Sequence, residues 1–411
     1  MYTNVFRVFH KMSAINKLTH SAYGVHLADQ LAIVSTPLVA KFAFNASSQT
    51  IGILVALQSL AYLIGSIPFG YIVDTKPLKA VAIFASLIAV AGFTSVSLSV
   101  LSSNIYWFAF ALFISSFGAV LFVIASLSII ARSVELSLLP QANSNLEIPR
   151  AASAFIVPLL IGFIASEVTT NYLFFIAVLG SLYAFIATMQ LPNYSVTSLK
   201  SGNVTKSIGV GGRFILKHPI LAPIALCSLF WNMAFSALLV VSLPLFVDVY
   251  KIHASNFATA LSFFGLAMIC GTWLIGRYSA SLRPGLILIA GPASSLVAII
   301  MLLVGTKSDS KTIVYISFFL VGFGPSMWLI VQNSVRQLVT PQHMLGQVSA
   351  VIQTAIYGVR PAGALLGGTI TGFASPVVGL SVVITLFGAS FLTAYFSRLR
   401  TVQSYRELVL P

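Results

Sequence analysis

Along this chain, long apolar runs alternate with short polar breaks, and the runs are too uniform for the half-buried helices of a soluble domain. By run length and turn signals they predict twelve helices. These lie at about 17–42, 49–73, 78–101, 105–131, 144–168, 171–191, 219–247, 255–276, 285–305, 311–335, 345–372 and 376–397. Each is near the ~20 residues that cross ~30 Å of hydrocarbon. One break is longer than the rest. Residues 192–218 open with Pro192-Asn193 and carry Ser, Gly, Asn and Thr with four basic residues. They predict a linker between two six-helix bundles, 1–191 and 219–411, long enough to let the bundles rock against each other. The expected fold is an all-α membrane protein.

The two halves also repeat. Ser133-Val134-Glu135 with Leu139-Pro140-Gln141 returns as Ser334-Val335-Arg336 with Thr340-Pro341-Gln342, an offset of 201. Gly65 and Gly70 return as Gly271 and Gly276, an offset of 206. Val34-Ser35-Thr36-Pro37-Leu38 returns as Val241-Ser242-Leu243-Pro244-Leu245, an offset of 207. A parallel repeat in an apolar chain marks a two-half secondary transporter. Pro37, Pro68, Pro158, Pro244 and Pro361 fall inside the predicted helices, where each permits a bend.

Composition strengthens the membrane reading. The chain is 58% hydrophobic and 7% charged, against about 25% charged in soluble domains. The net charge of +14 first points to nucleic acid, but its distribution points elsewhere. With the predicted helices, one side of the bilayer receives Arg7, Lys11, Lys17, Lys76, Lys79, Arg132, Lys200, Lys206, Arg213, Lys217, Arg277, Arg283, Arg336, Arg398, Arg400 and Arg406. The other receives Lys41, Lys251, Lys307 and Lys311. The positive-inside rule then puts both termini in the cytoplasm, and the basic loops meet anionic lipid rather than nucleic acid. The first apolar run is too long for a signal peptide, so a multi-pass protein of a bacterial inner membrane is expected. Cys227 and Cys270 sit singly inside helices and read as small buried hydrophobes.

Enzymatic readings find no support. There is no nucleophile–base set, no metal-spaced His or Cys cluster and no phosphate-cradling Gly loop. No metal and no cofactor is expected, the energy source being a proton gradient. The expected partners are a small-molecule substrate and the lipid bilayer, with the protein itself a monomer.

Gly70-Tyr71-Ile72-Val73-Asp74-Thr75-Lys76-Pro77-Leu78-Lys79 resembles the signature loop of the major facilitator superfamily, roughly G-x-x-x-D-R-x-G-R-K. Gly70, Asp74 and Lys79 match, while Thr75 and Pro77 stand where the pattern has Arg and Gly. The resemblance implies the major facilitator fold and makes Asp74 a latch on the cytoplasmic side. By position, Asp74 also faces the N-terminal end of the third helix. Leu139-Pro140-Gln141-Ala142-Asn143 before the fifth helix resembles the branch of macrolide-type drug exporters and siderophore exporters. So do Gly346-Gln347-Val348-Ser349-Ala350 and Pro361-Ala362-Gly363-Ala364-Leu365-Leu366-Gly367-Gly368 around the eleventh. The antiporter signature of helix five survives as Pro158 and Gly162.

Ionisable groups inside a membrane helix are costly and mark a pathway by default. On helix one, His26, Asp29 and Gln30 share a face. Asp29 is the expected proton-coupling acid, with a structural pairing to a hydroxyl or to Arg150 as its rival. Arg150 lies three residues after Glu147 on helix five, at a position where the resemblance implies an Arg. On helix eleven, Gln353, Tyr357 and Arg360 form a stripe at i, i+4, i+7. Arg360 needs an anionic partner: Asp29, Glu147 or a carboxylate-bearing substrate. Trp231 and Asn232 on helix seven, and Trp328, Gln332 and Asn333 on helix ten, add groups suited to an amphipathic ligand. Gly70, Asp74, Glu135 and Arg336 form the expected gate, with Glu135 and Arg336 read as repeat counterparts that pair when the inside closes.

The function expected is proton-coupled export of a small amphipathic organic molecule, a carboxylate-bearing siderophore or a drug, by alternating access. A nutrient or peptidoglycan-fragment importer and a lysophospholipid flippase are the alternatives.

Overall fold

The computed structural model describes residues 2–46, 48–164, 172–193, 204–252, 255–306 and 310–408. The 194–203 part of the linker with Lys200, the 165–168 end of the fifth predicted helix, residue 171 and Lys307 lie outside the described residues. Among the described residues the chain is helical and has no strand. The first half holds α1 (Tyr2–Phe42), α2 (Ser48–Thr75), α3 (Leu78–Leu101), α4 (Ile105–Ser133), α5 (Leu139–Ile164) and α6 (Leu173–Met189). The linker contributes α7 (Val204–Lys217). The second half holds α8 (Leu221–Pro244), α9 (Ser255–Tyr278), α10 (Pro284–Gly305), α11 (Lys311–Val339), α12 (Leu345–Phe373) and α13 (Pro376–Tyr395). This is the expected all-α membrane fold of twelve long helices in two sets of six.

Local chemistry sets the helix ends. Asn104 caps α4 by accepting from the Trp107 amide at 3.0 Å, and Ser375 caps α13 just before Pro376. Helix α5 starts at Leu139, five residues before the predicted 144. Pro140 stands in its first turn, where a missing N–H leaves no intrahelical bond unmade. Among the described residues, α3, α4, α8, α10, α11, α13 and most of α9 are long and apolar enough to cross a membrane. Helices α1, α5 and α12 fall outside that group, and they carry Asp29, Glu147, Arg150 and Arg360.

Contacts divide the chain into two units. The first comprises 1–135, 145–211 and 340–354; the second comprises 136–144, 212–339 and 355–411. Each unit thus contains a short segment from the other half of the sequence. In the first unit α3 packs on α4, α1 on α6, α3 on α6 and α2 on α4. Phe93, Phe108, Leu112 and Phe174 lie at the centre of its core. In the second unit α10 packs on α11, α8 on α13, α10 on α13 and α9 on α11. Its core holds Phe246, Tyr250, Phe318 and Phe387, with a further cluster around Ile224, Cys227 and Trp328. The two packing schemes are the same, helix for helix.

The structure corrects the register of the repeat. Helices α3, α4 and α5 begin at 78, 105 and 139, and α10, α11 and α12 begin at 284, 311 and 345, a constant offset of 206. Packing agrees: Gly118 seats against Ala85, and its counterpart Gly324 seats against Gly291, the counterpart of Ala85. The offset of 201 is therefore a likeness of short words, five residues out of phase. Leu139-Pro140-Gln141 opens α5, whereas Thr340-Pro341-Gln342 precedes α12. Glu135 and Arg336 are not counterparts. Glu135 follows the end of α4 and is exposed, while Arg336 is buried inside the last turn of α11.

Candidate functional site

In the first unit, α1 places His26, Asp29 and Gln30 on one face, with His26 buried and the other two half-buried. Tyr62 of α2 donates its hydroxyl to Asp29 Oδ1 at 2.9 Å. On α5, Arg150 Nε donates to Glu147 Oε2 at 2.6 Å. The set holds an acid with a hydroxyl donor and an arginine with its own carboxylate, chemistry suited to moving or sensing a proton. Helices α1, α5 and α6 also line an open recess of about 380 Å³ with Tyr23, Leu27, Ile156, Leu179 and Tyr183, none of them an expected site residue.

In the second unit, α12 runs against α8 so closely that a Cβ on Gly363 would collide with the Met233 backbone. That approach brings Arg360 to Asn232. The guanidinium donates through Nε and Nη2 to Asn232 Oδ1 at 3.2 and 3.0 Å, and its carbon lies 4.6 Å from the centre of the Tyr357 ring. Trp231, next to Asn232, donates its indole N–H to Ser295 at 3.0 Å and stacks on Phe235. Gln353 lies on the part of α12 that belongs to the first unit, so the stripe Gln353, Tyr357 and Arg360 is divided between the units. On α11, Asn333 Oδ1 accepts from both Gln332 Nε2 at 2.6 Å and Arg336 Nη2 at 2.9 Å, forming a buried polar knot.

The expected gate residue Asp74 is fully buried in the last turn of α2. Its carboxylate accepts from the backbone N–H groups of Gly346 and Gln347, both at 2.9 Å. These are orphan donors of the first turn of α12, where the helix dipole also favours an anion. Arg132 Nη2 closes the group, 3.3 Å from Asp74 Oδ1 and 3.2 Å from the Gln342 carbonyl. Asp74 therefore serves α12 and not α3, whose N-terminus follows Pro77 and has no side-chain cap. Gly70, one turn before Asp74, makes this reachable, since a Cβ there would strike Ala350 and the Gly346 carbonyl.

The second unit has its own clasp, which the sequence reading missed. Asn143 Nδ2 donates to Ser334 Oγ at 3.0 Å and to Gln337 Oε1 at 2.7 Å. Ser144 Oγ donates to the Thr272 carbonyl at 2.7 Å, and Gly276 seats against Ser144. Tyr62 and Arg132 were missed as partners too. A signal for Tyr62 was present, since Gln58, Tyr62, Ser66, Gly70 and Asp74 step by four along α2. Arg132 was read only as a topology charge.

Comparison with known proteins adds the following. The sequence model of the Major Facilitator Superfamily matches residues 22–364. The chain is 23% identical over 286 residues to the enterobactin exporter EntS of Salmonella choleraesuis (strain SC-B67), covering 67% of each protein. The Escherichia coli O1:K1 / APEC enterobactin exporter EntS aligns with the same identity and coverage. Among solved structures, the human organic anion transporter MFSD10 (TETRAN) superposes with a TM-score of 0.74 at 14% identity, over 93% of this chain and 99% of that one. The proton:xylose symporter XylE gives 0.74 at 12% identity, over 97% and 100%.

Proposed function

We propose, from the premise that the chain belongs to the Major Facilitator Superfamily, that it exports a small amphipathic organic molecule in exchange for protons. The family is one of membrane transporters. The observation that carries the coupling is Asp29, held half-buried in α1 by the Tyr62 hydroxyl, with His26, Glu147 and Arg150 in the same unit. A carboxylate in a membrane helix that accepts a hydroxyl hydrogen bond can gain and lose a proton during a cycle. Export is supported by the enterobactin exporters among the relatives, which make a siderophore the first substrate to try. The same reading puts the protein in a bacterial cytoplasmic membrane as a monomer, with both termini and the basic loops on the cytoplasmic side.

The test is flux in liposomes containing the purified protein, with a pH gradient imposed and siderophores, amphipathic drugs and lysolipids offered in turn. Gradient-dependent flux of one class is expected, and Asp29→Asn should abolish its dependence on the gradient. Full gradient-driven flux in Asp29→Asn removes Asp29 from the coupling step. Absence of gradient-dependent flux for every class removes the exporter reading.

A further inference from the structure

Arg360 is a charge in a membrane helix that its own unit does not neutralise. Among the described residues of the second unit the carboxylates are Asp248 and Glu407, and neither forms an ion pair with it. Its held partner is an amide: Asn232 Oδ1 accepts from Nε and Nη2. Asn232 is itself fixed, because its Nδ2 donates to the Ser228 carbonyl at 2.9 Å. An amide oxygen orients a guanidinium without cancelling its charge. Tyr357 covers one face of the group at 4.6 Å. One edge and one face are therefore occupied, and the Nη1 edge keeps its donors.

An arginine near the middle of a membrane helix costs roughly 2.5–3.5 kcal/mol on insertion scales. A pre-oriented guanidinium with a vacant donor edge offsets that cost only when an oxyanion binds it. The surroundings give the rest of the ligand its character. Next to Asn232, Trp231 stacks on Phe235 at 5.1 Å and 11°, and Phe235 stacks on Phe264 at 5.0 Å and 24°. These half-buried, near-parallel rings form an apolar aromatic stack that begins beside the anchor. We infer that Arg360, oriented by Asn232 and Tyr357, is the recognition group for the carboxylate of an aromatic or otherwise apolar organic substrate. This deepens the transport reading and rests on it for its physiological meaning, while the binding itself is measurable without transport.

The experiment uses the full-length protein in phosphatidylcholine nanodiscs, titrated with 1-naphthoate and with the neutral 1-naphthamide by calorimetry. In the unmodified protein, naphthoate should bind about tenfold more tightly than naphthamide, the size of one charge-assisted pair. Arg360→Gln should bring the two within about twofold. Arg360→Lys keeps the charge without the fork and should leave about threefold. Should Arg360→Gln fail to fold, Asn232→Ala keeps the arginine but frees its edge, and a preference reduced to about threefold is expected. Equal binding of the two probes by the unmodified protein, or a carboxylate preference that survives Arg360→Gln, overturns the inference. Gradient-driven flux of a neutral amphiphile in the same preparation tests the transport reading separately: its loss leaves the carboxylate preference standing, and its presence does not supply one.

Discussion

The two units fasten the start of a long helix in opposite ways. In the first, the opening turn of α12 is held by a buried carboxylate, two backbone N–H groups and an arginine: Asp74, Gly346, Gln347 and Arg132. In the second, the opening turn of α5 is held by neutral groups: Asn143 with Ser334 and Gln337, and Ser144 with the Thr272 carbonyl. The 206 register shows that this difference is not one substitution. The counterpart of Asp74 is Ala280, that of Arg132 is Leu338, and that of Gly346 is Pro140, which has no N–H to donate. The acid, the arginine and one of the two N–H donors have gone together, while Gln141 keeps the N–H that corresponds to that of Gln347. The small-residue contact is retained, since Gly70 faces Ala350 and Gly276 faces Ser144. The frame is shared, and only the chemistry differs.

The largest expected effect tests whether the charged clasp is one unit. Asp74→Ala leaves Arg132, whose side chain is 7% exposed, without its carboxylate. Loss of one member of a buried pair costs about 3–5 kcal/mol. Asp74→Ala combined with Arg132→Leu reproduces the residues at 280 and 338 and should restore at least half of that loss. The measurement is the melting midpoint of the detergent-solubilised protein. A double variant as unstable as Asp74→Ala alone would break the comparison, because the two losses would then not be linked.

This contrast marks how far the sequence could be read. The helices, the two sets of six and the apolar packing followed from run length and small-residue spacing, because in a bilayer those properties decide what spans. The register did not follow. Ser133-Val134-Glu135 and Ser334-Val335-Arg336 look alike as words, but helix phase is set by which glycine meets which backbone, and that is seen only when helices are packed. Resemblance pointed to Asp74 and its position aimed it at α3, whereas its carboxylate meets the first turn of α12. Asn143 was on the page as part of a family-like word, yet nothing local says that an amide five residues into a helix will meet Ser334 and Gln337. Arg360 was legible as a problem, a charge needing a partner. That its orienting partner is Asn232 depends on the close α8–α12 crossing at Gly363.

A smaller effect is expected at the neutral clasp. Asn143→Ala removes an amide that is 1% exposed from between two buried polar side chains. Leaving buried hydrogen-bonding groups unmatched costs about 1–3 kcal/mol, below the figure for Asp74→Ala. The same melting assay, with amide exchange at the start of α5, reads it. Equal losses for Asn143→Ala and Asp74→Ala would mean that charge is not what separates the two clasps.

The smallest effect concerns a third helix start, where a neutral acceptor can be given a charge. His218 Nδ1 accepts from the Ile220 and Leu221 amides at 3.2 and 3.3 Å, at the entry to α8 and outside the bilayer segment. It does for α8 with a neutral ring what Asp74 does for α12 with a carboxylate. Burial lowers the His218 pKa below its ordinary 6.5, and the accepting nitrogen must be unprotonated to work. The unfolded chain therefore takes up a proton before the folded one does. The contribution of His218 is complete above about pH 6.5 and shrinks as the pH falls from there toward the lowered folded value. Protonation also sets a positive charge against the positive end of α8. His218→Ala should cost about 1 kcal/mol at pH 8, the usual worth of a helix N-cap, and progressively less as the pH is taken below 6. A loss that stays constant from pH 8 to pH 5 would show that the imidazole is not acting as an acceptor. The difference between anionic and neutral helix starts would then rest on the two clasps alone.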